Sequence, residues 1–182
     1  PLLPGSSSTE QICRECPQGA NCASGIFEAK TLSSRWEVLP DGVTNVYRIT
    51  ACPPGFALTR TEGNPKADEC ALCPANTYNF AGSEWKPENV GADNRPKSGV
   101  LDFCKRCPLS GARCPGGSVV EALEDWYMYR QNARRVESVD NDTVAMVYQC
   151  PVMACAGNNT CKGGRTGMLC GYCPDDWALE LN

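Results

Sequence analysis

The sequence contains no histidine, and none of its Ser or Cys residues stands in a recognisable nucleophile motif. Histidine is the side chain whose ordinary pKa suits proton transfer near neutral pH, and it is also a favoured metal ligand. Carboxylates are present, but no set of residues meets the chemical and geometric needs of an active site. We therefore expect no enzyme activity, no catalytic residue, no metal site and no cofactor.

Long apolar runs and basic clusters are missing as well. A helix that crosses a membrane needs about 18 or more consecutive apolar residues, and no stretch approaches that length. No signal peptide is visible. The net charge is −4, with Lys and Arg scattered along the chain rather than grouped on one segment. These absences argue against a membrane span in this chain and against a nucleic-acid partner.

Cysteine, in contrast, is abundant: the 182 residues include 14 Cys, together with 17 Gly and 14 Pro that interrupt every apolar run. Segments this small bury too little surface to offset chain entropy, so disulfides must substitute for a large core. Disulfides persist in oxidising compartments, which indicates an extracellular or cell-surface protein. We expect a small disulfide-rich fold of β-hairpins and loops with little helix, arranged as elongated tandem cysteine-rich modules. The candidate bridge residues are Cys13, Cys16, Cys22, Cys52, Cys70, Cys73, Cys104, Cys107, Cys114, Cys150, Cys155, Cys161, Cys170 and Cys173.

One cysteine frame occurs twice. Cys13 to Cys22 and Cys104 to Cys114 both read Cys-x2-Cys-Pro, then a short turn with Gly-Ala, then a third Cys. A Trp follows each frame, Trp36 in the first and Trp126 in the second, and we expect the two to occupy equivalent places on a local hairpin. The repeat predicts a linker at residues 1–12, one module at 13–103, a second at 104–182, and the start of a further unit at 173.

Local patterns predict the elements of each module. Pro40-Asp41-Gly42 lies between two β-forming flanks, which indicates a hairpin, and residues 126–129 and 144–148 match its strands. Ser118-Val-Val-Glu121 has the form of a capping box, which predicts one or two helical turns. Residues 81–102 are polar and rich in Pro and Gly. We interpret them as a surface excursion held by Trp85 and closed by Cys73 and Cys104, with a binding loop as the alternative.

A family resemblance rests on residues 52–80. Cys52-Pro-Pro-Gly-Phe56, then Cys70-Ala-Leu-Cys-Pro-Ala-Asn-Thr-Tyr78, resembles the ephrin-receptor-like cysteine-rich modules, which are similar in style to growth-factor-receptor and laminin-type EGF repeats. Asn76 stands where that family usually has Gly, and Asn also tolerates left-handed backbone geometry. The resemblance implies a disulfide-laddered extracellular segment with no enzymatic role.

The four Cys-x2-Cys pairs are not expected to close on themselves, because a bridge across two residues constrains little unfolded chain. The candidate bridges are Cys16–Cys22, Cys52–Cys70, Cys73–Cys104 and Cys107–Cys114. The repeat then leaves Cys13 and Cys173 without partners in these residues, or joined to a neighbouring chain, so we expect the chain to be an excerpt of a larger protein. Zinc is the alternative for such pairs, but the pairs lie too far apart for the usual spacing of about 15–20 residues.

Modification sites complete the pattern. Asn141-Asp-Thr143 and Asn158-Asn-Thr160 are N-glycosylation sequons in predicted loops. The run Ser6, Ser7, Ser8 and Thr9 beside Pro is either a plain linker or a site of O-glycans. Asp140-Asn141-Asp142 resembles the start of a calcium loop but lacks the remaining ligands, which favours a solvated turn.

These observations favour a structural or adhesive segment of a large extracellular glycoprotein. Its expected partners are further copies or neighbouring chains in a self-assembled coat or fibre, for example a flagellar-hair-like fibre, by analogy with other proteins that carry such modules. A cysteine-rich receptor ectodomain that binds a protein ligand is the alternative. A zinc-organised intracellular adaptor is a third hypothesis, which would require free thiols.

Overall fold

A computed structural model describes residues 15–41, 44–61, 64–85, 104–133 and 142–174. Within these ranges the chain forms short antiparallel sheets and two single-turn 3₁₀ helices at Ala23–Gly25 and Met168–Cys170. The fold is therefore a small disulfide-rich β fold, as predicted. The strands are β1 (Ala20–Asn21), β2 (Glu28–Ala29), β3 (Arg35–Asp41), β4 (Thr44–Cys52), β5 (Phe56–Thr61), β6 (Asn64–Leu72), β7 (Thr77–Tyr78), β8 (Ser83–Glu84), β9 (Lys105–Arg106), β10 (Ala112–Gly116), β11 (Val119–Ala122), β12 (Trp126–Ala133), β13 (Asp142–Gln149), β14 (Cys155–Gly157) and β15 (Thr160–Cys161).

The first of two compact units runs to Leu72 and resumes at Gly82. It contains the β1–β2 and β5–β6 hairpins and the three-stranded sheet β3–β4–β8. Trp85 packs against its core, and the Trp85 backbone N–H donates to the Thr50 carbonyl oxygen at 2.8 Å, as the prediction that Trp85 holds this segment requires. The rest of the predicted excursion, residues 86–102, lies outside the described residues. The core contains Ile49, Cys52 and Leu58, packed against Trp36, Phe56, Cys70 and Trp85.

The hairpin predicted around Pro40-Asp41-Gly42 is present as β3 and β4. Trp36 pairs with Ile49 and Val38 with Tyr47, which places all four side chains on one face. Phe27 lies against this face, 5.1 Å from both the Trp36 and the Tyr47 ring centroids. Aromatic and β-branched residues therefore supply the buried area that a short hairpin requires.

The second unit comprises Cys73–Ala81 and the chain from Cys104 onward. Its described part forms the sheets β7–β9, β10–β11, β12–β13 and β14–β15. The sequence predicted a boundary at residue 104, whereas the compact unit also includes residues 73–81. The Cys73–Cys104 bridge and the pairing of β7 with β9 attach that segment to the second unit.

Two small clusters form the core of the second unit. Tyr78, Cys114, Val120 and Ala145 make one cluster, and Cys150, Ala154, Cys155 and Cys170 make the other. Three of the four residues in the second cluster are half-cystines. Disulfides thus take the place of large apolar side chains in this part of the core.

The predicted helical turn at Ser118–Glu121 is wrong. Val119–Ala122 is strand β11, which turns back on β10 through Gly117 and Ser118. Gly117 has φ +62°, a left-handed conformation that is incompatible with an α-helix and suits a tight turn. An isolated helix of two turns is marginal in water, whereas the hairpin buries Val120 and Ala122. Tertiary burial therefore outweighs the local capping signal.

No helix of the described residues is long and apolar enough to span a membrane.

Candidate functional site

The repeated frame has the same internal contact in both copies: a tryptophan ring lies on the glycine of the Gly-Ala turn. A Cβ atom added to Gly19 would lie 3.1 Å from Cη2 and Cζ2 of Trp36. A Cβ atom added to Gly111 would lie 2.3 Å from Cδ2 and Cε3 of Trp126. Both tryptophans are half-buried at the start of the larger hairpin of their unit. Trp36 and Trp126 are therefore equivalent, as predicted.

The strands beside the two frames also correspond. Ala20 pairs with Ala29 in β1–β2, and Ala112 pairs with Ala122 in β10–β11. The residue after each second alanine donates its N–H to the frame glycine: Lys30 to Gly19 O and Leu123 to Gly111 O, both at 2.9 Å. All four paired positions thus carry the small side chain of alanine. The two frames therefore share the same Gly–Trp contact, the same alanine pairing and the same backbone hydrogen bond.

The four bridges expected from the frames are all present, and no Cys-x2-Cys pair of the described residues is joined to itself. Their Cα–Cα distances lie between 5.5 and 5.9 Å. Two bridges that the sequence pattern did not resolve, Cys150–Cys155 and Cys161–Cys170, close the segment after β13. Cys13 lies outside the described residues. Cys173 is a free, half-buried thiol, and its expected link to another chain stays a prediction.

Four Cys-Pro turns of the described residues are closed by a hydrogen bond from the N–H three residues after the proline to the proline carbonyl. In one, Ala20 donates to Pro17 at 3.1 Å and Gly19 has an ordinary φ. In the other three, Phe56 donates to Pro53 at 3.2 Å, Thr77 to Pro74 at 3.1 Å, and Ala154 to Pro151 at 3.0 Å. The residue before the donor has positive φ in these three turns, namely Gly55 (+90°), Asn76 (+67°) and Met153 (+56°). Asn76 accepts the left-handed conformation as predicted. Met153 was missed, because its side chain carries no turn signal.

Side chains hold both edges of the β12–β13 hairpin. On the β13 edge, the Ala145 N–H donates to the Tyr78 hydroxyl at 2.9 Å, and Lys105 Nζ donates to the Thr143 carbonyl at 3.2 Å. On the β12 edge, Asn159 accepts from the Met128 N–H and donates to the Met128 carbonyl, both at 2.7 Å. The Asn159 amide therefore takes the place of a neighbouring strand. No sequence motif pointed to Tyr78, Lys105 or Asn159 in this role.

One face of the same hairpin carries exposed aromatic side chains. Tyr127 pairs with Tyr148 and Tyr129 with Met146, so the four project from the same side. Tyr129 is 49% exposed and Tyr148 is 38% exposed, and Met146 is also exposed. Exposed tyrosines that are held in place by a sheet are typical of protein contact surfaces. Tyr127 is half-buried and packs against the cluster of Cys150, Ala154, Cys155 and Cys170. We therefore call the exposed side chains Tyr129, Met146 and Tyr148 the tyrosine face.

The sequon at Asn158 lies in the two-residue turn between β14 and β15. Asn158 and Asn159 have φ values of +47° and +57°, which fits a tight hairpin turn that Asn tolerates. The Asn158 side chain is exposed, whereas the Asn159 amide is occupied by Met128. Asn141 and the run from Ser6 to Thr9 lie outside the described residues, as does most of the calcium-like segment at 140–142.

Two ion pairs differ in their surroundings. Arg48 binds the fully buried carboxylate of Asp68 through Nε at 2.8 Å and Nη2 at 3.3 Å. Glu124 and Lys162 form an exposed pair. The hydrogen bond from Lys162, with its charge, lowers the pKa of Glu124, and the same hydrogen bond raises the pKa of Lys162.

The described residues contain no group of three or more His, Cys, Asp or Glu side chains arranged to hold a metal ion. The described residues offer bridges, an exposed aromatic face and a surface sequon. No protein-family model, no curated protein and no solved structure matches this chain.

Proposed function

We propose that this chain is a structural or adhesive segment of a large extracellular glycoprotein that self-assembles into a surface coat or a flagellar-hair-like fibre. The observation that supports the proposal most directly is the repeat of the cysteine frame with the same internal contact, Trp36 on Gly19 and Trp126 on Gly111. A unit that repeats its own internal contacts lengthens a chain by addition, as in other repeat proteins. The six bridges support an oxidising, extracellular location.

We assign the modules to the ephrin-receptor-like class. The Cys52–Cys70 bridge joins the first cysteines of the two motifs that carry the resemblance, across the β5–β6 hairpin. The turns after Cys52 and Cys73 share the same hydrogen bond and the same left-handed residue, Gly55 in one and Asn76 in the other. The position where the family pattern has Gly therefore needs the conformation that Asn provides.

A structural role also accounts for the charged residues better than catalysis does. Asp68, a fully buried carboxylate, is bound by Arg48 and is thus committed to an ion pair inside the unit. Glu124 and Glu121 pair with Lys162 and Arg113 at the surface. Carboxylates tied to cations in this way do not provide the general acid or base that an enzyme needs.

The tyrosine face is the surface that supports a protein partner. Its side chains are fixed by the β12–β13 sheet, so docking would cost little conformational entropy. The same face also suits the second candidate function, a receptor ectodomain that binds a protein ligand. The two functions differ in whether the partner is another copy of the chain or a different protein.

The test is assembly of the secreted, oxidised protein. A fibre or coat protein is expected to form large species in sedimentation velocity as its concentration rises, and to show regular polymers by electron microscopy. Tyr148→Asp should weaken assembly, because a carboxylate would lose solvation at a packed contact. Leu109→Asp is the matched control, since Leu109 is fully exposed elsewhere in the same unit. A protein that stays monomeric at all concentrations would contradict self-assembly and leave the receptor function.

Glycosylation of Asn158 is a separate part of the proposal. The exposed Asn158 side chain supports attachment of an N-glycan at the β14–β15 turn. The intact mass of protein from a secretory host should fall after treatment with an N-glycan-releasing amidase. Asn158→Asp should remove that mass while retaining a residue that tolerates positive φ. An unmodified mass at the Asn158 peptide would refute glycosylation at this site without affecting the assembly proposal.

A further inference from the structure

Two disulfides touch in the core of the second unit. Cys155 Sγ of the Cys150–Cys155 bridge lies 3.4 Å from Cys170 Sγ of the Cys161–Cys170 bridge. Cys155 and Cys170 are both completely buried, with Ala154 beside them in the same cluster. The contact therefore brings two half-cystines that are not bonded to each other within reach of a new bond.

The four cysteines differ in how exposed they are. Cys161 is half-buried, whereas Cys150 is 7% exposed and the two touching residues are inaccessible. An external thiolate can therefore attack Cys161 Sγ more readily than the other three. That attack forms a mixed disulfide at Cys161 and releases the electron pair of the broken bond to Cys170, which leaves as a thiolate.

The released thiolate is in a position that favours a second exchange. Its sulfur lies 3.8 Å from the carbonyl oxygen of Thr160, inside a cluster with Tyr127 and Leu169. A buried thiolate near a carbonyl oxygen and apolar side chains is unfavourable, because it has lost its water and gained no cation. Attack on the neighbouring Cys155 Sγ removes the buried charge and transfers it to Cys150.

We propose that these four cysteines form a thiol–disulfide exchange site, which takes a small dithiol as co-substrate and converts the native pairing into a Cys155–Cys170 bridge. In the balanced reaction the dithiol is oxidised to its disulfide. The bonds Cys150–Cys155 and Cys161–Cys170 break, and one bond, Cys155–Cys170, forms. Cys150 and Cys161 end as protonated thiols. This proposal does not depend on the proposed assembly function.

The positions of the methionines make the pairing readable. Met153 lies between Cys150 and Cys155, and Met168 lies between Cys161 and Cys170. Cleavage after methionine therefore separates Cys150, on residues 147–153, from the peptides 154–168 and 169–182. In the native pairing all three peptides stay linked. Exchange releases 147–153 and keeps 154–168 bonded to 169–182, whereas simple reduction of Cys161–Cys170 releases 169–182 instead. Simple reduction of Cys150–Cys155 would also release 147–153, but it leaves the thiol of peptide 154–168 on Cys155, whereas exchange leaves it on Cys161.

The experiment treats the folded chain with less than one equivalent of a dithiol, alkylates the thiols under native conditions, cleaves after methionine and measures peptide masses. Cys173→Ser serves as the background, so that this free thiol takes no part. We expect alkylated 147–153 to be the main released peptide of residues 147–182, and fragmentation of peptide 154–168 to place the second alkyl group on Cys161. Release of alkylated 169–182 with 147–153 still linked, or an alkyl group on Cys155 in place of Cys161, would overturn the proposal.

Two single substitutions test the same step without a reductant. Cys161→Ser leaves Cys170 without its partner, and Cys150→Ser leaves Cys155 without its partner. We expect both variants to form Cys155–Cys170, so that Cys150 is alkylated in the first and Cys161 in the second. Alkylation of Cys170 in the first variant or of Cys155 in the second would refute exchange. Cys114→Ser is the control and should expose Cys107 alone; if the variants fail to fold, the reductant experiment on the parent chain decides.

Discussion

The two large hairpins begin alike and are held differently. β3–β4 and β12–β13 each start at a tryptophan that lies on a frame glycine. The first hairpin is then anchored by the Arg48–Asp68 pair, in which the carboxylate is fully buried. The second is anchored by neutral groups at its edges, the Tyr78 hydroxyl and the Asn159 amide, together with Lys105.

This difference separates what the repeat requires from what each copy can vary. The Gly–Trp contact is closely packed, and each alanine pair has one buried member, Ala20 or Ala122. Adding one methyl group at such positions would lower stability. The anchors only have to form hydrogen bonds with backbone groups or neutralise a charge, and a guanidinium, an ammonium, an amide or a hydroxyl group can do this. The frame therefore recurs in both copies, whereas the anchors do not.

The largest expected effect is loss of the charged anchor in the first unit. Arg48→Met should lower the free energy of unfolding by about 3–5 kcal/mol, because it leaves the buried Asp68 carboxylate without its cation. Asn159→Gly, which removes the neutral anchor but keeps the turn, should cost about 1–2 kcal/mol. Denaturant unfolding with the bridges intact measures both.

Arg113→Met is the control for Arg48→Met. Arg113 pairs with Glu121 at 2.6 Å, but its side chain is 71% exposed, so the substitution should change stability by less than about 1 kcal/mol. Equal costs for Arg48→Met and Arg113→Met would mean that the first hairpin does not depend on its buried ion pair, and the comparison would fail.

A smaller difference is expected between the two frame glycines. Gly111→Ala should cost about 2–4 kcal/mol, because its Cβ would overlap the Trp126 ring and its φ is +76°. Gly19→Ala should cost about 1–2 kcal/mol. The φ of Gly19 is ordinary, and the added Cβ would approach its nearest atom, the Asp68 carbonyl oxygen, at 2.9 Å.

Gly163→Ala separates strain from overlap. Gly163 has φ +59° with nothing within 4 Å of an added Cβ, so it should show only the backbone cost of about 1–2 kcal/mol. If Gly111→Ala costs no more stability than Gly163→Ala, then the Trp126 ring does not pack closely on Gly111. The equivalence of Trp36 and Trp126 would then lose its structural basis.

The fold class and four bridges could be predicted because they depend on short-range signals. Pro40-Asp41-Gly42 indicates a hairpin, although Pro40 and Asp41 themselves belong to β3. A Cys-x2-Cys pair constrains little unfolded chain when it closes on itself, so each cysteine is expected to reach across a turn. The same reasoning misassigned Ser118–Glu121. Its capping pattern is local, whereas the strand there is stabilised by burial of Val120 and Ala122 against distant residues.

The anchors could not be predicted for the same reason. Tyr78 and Ala145 are 67 residues apart, and Asn159 and Met128 are 31 apart. A hydroxyl or an amide that binds a strand edge has no sequence signature, because any polar side chain of the right reach can do it. The crowding of Cys150, Cys155, Cys161 and Cys170 was visible, but their pairing depends on a fold that spacing does not specify.

A modest gain is expected where the second hairpin leads into its Cys-Pro turn. Met153 occupies the left-handed position that Gly55 occupies after the first hairpin, with φ +56° against +90°. Met153→Gly should stabilise the protein by about 0.5–1 kcal/mol, because relief of the left-handed strain exceeds the extra chain entropy of glycine. Thermal unfolding of Met153→Gly should give a higher midpoint than Met153→Ala, and an equal or lower midpoint would show that the two turns are not equivalent.

The smallest effect concerns the exposed pair Glu124–Lys162, for which the first frame has no counterpart because the position that corresponds to Glu124 is the uncharged Thr31. The pKa of Glu124 is lowered in the folded state from its ordinary 4.5, so the pair's contribution is complete above that value and is lost as the pH falls through the folded pKa. The pKa of Lys162 is raised from 10.5, so the contribution is also lost as the pH rises through that higher folded value. Glu124→Gln should therefore lower the unfolding midpoint slightly near neutral pH, less in high salt, and not at about pH 2. A deficit that persists unchanged in acid would show that Glu124 acts through packing rather than charge, and that the two units do not differ here in electrostatics.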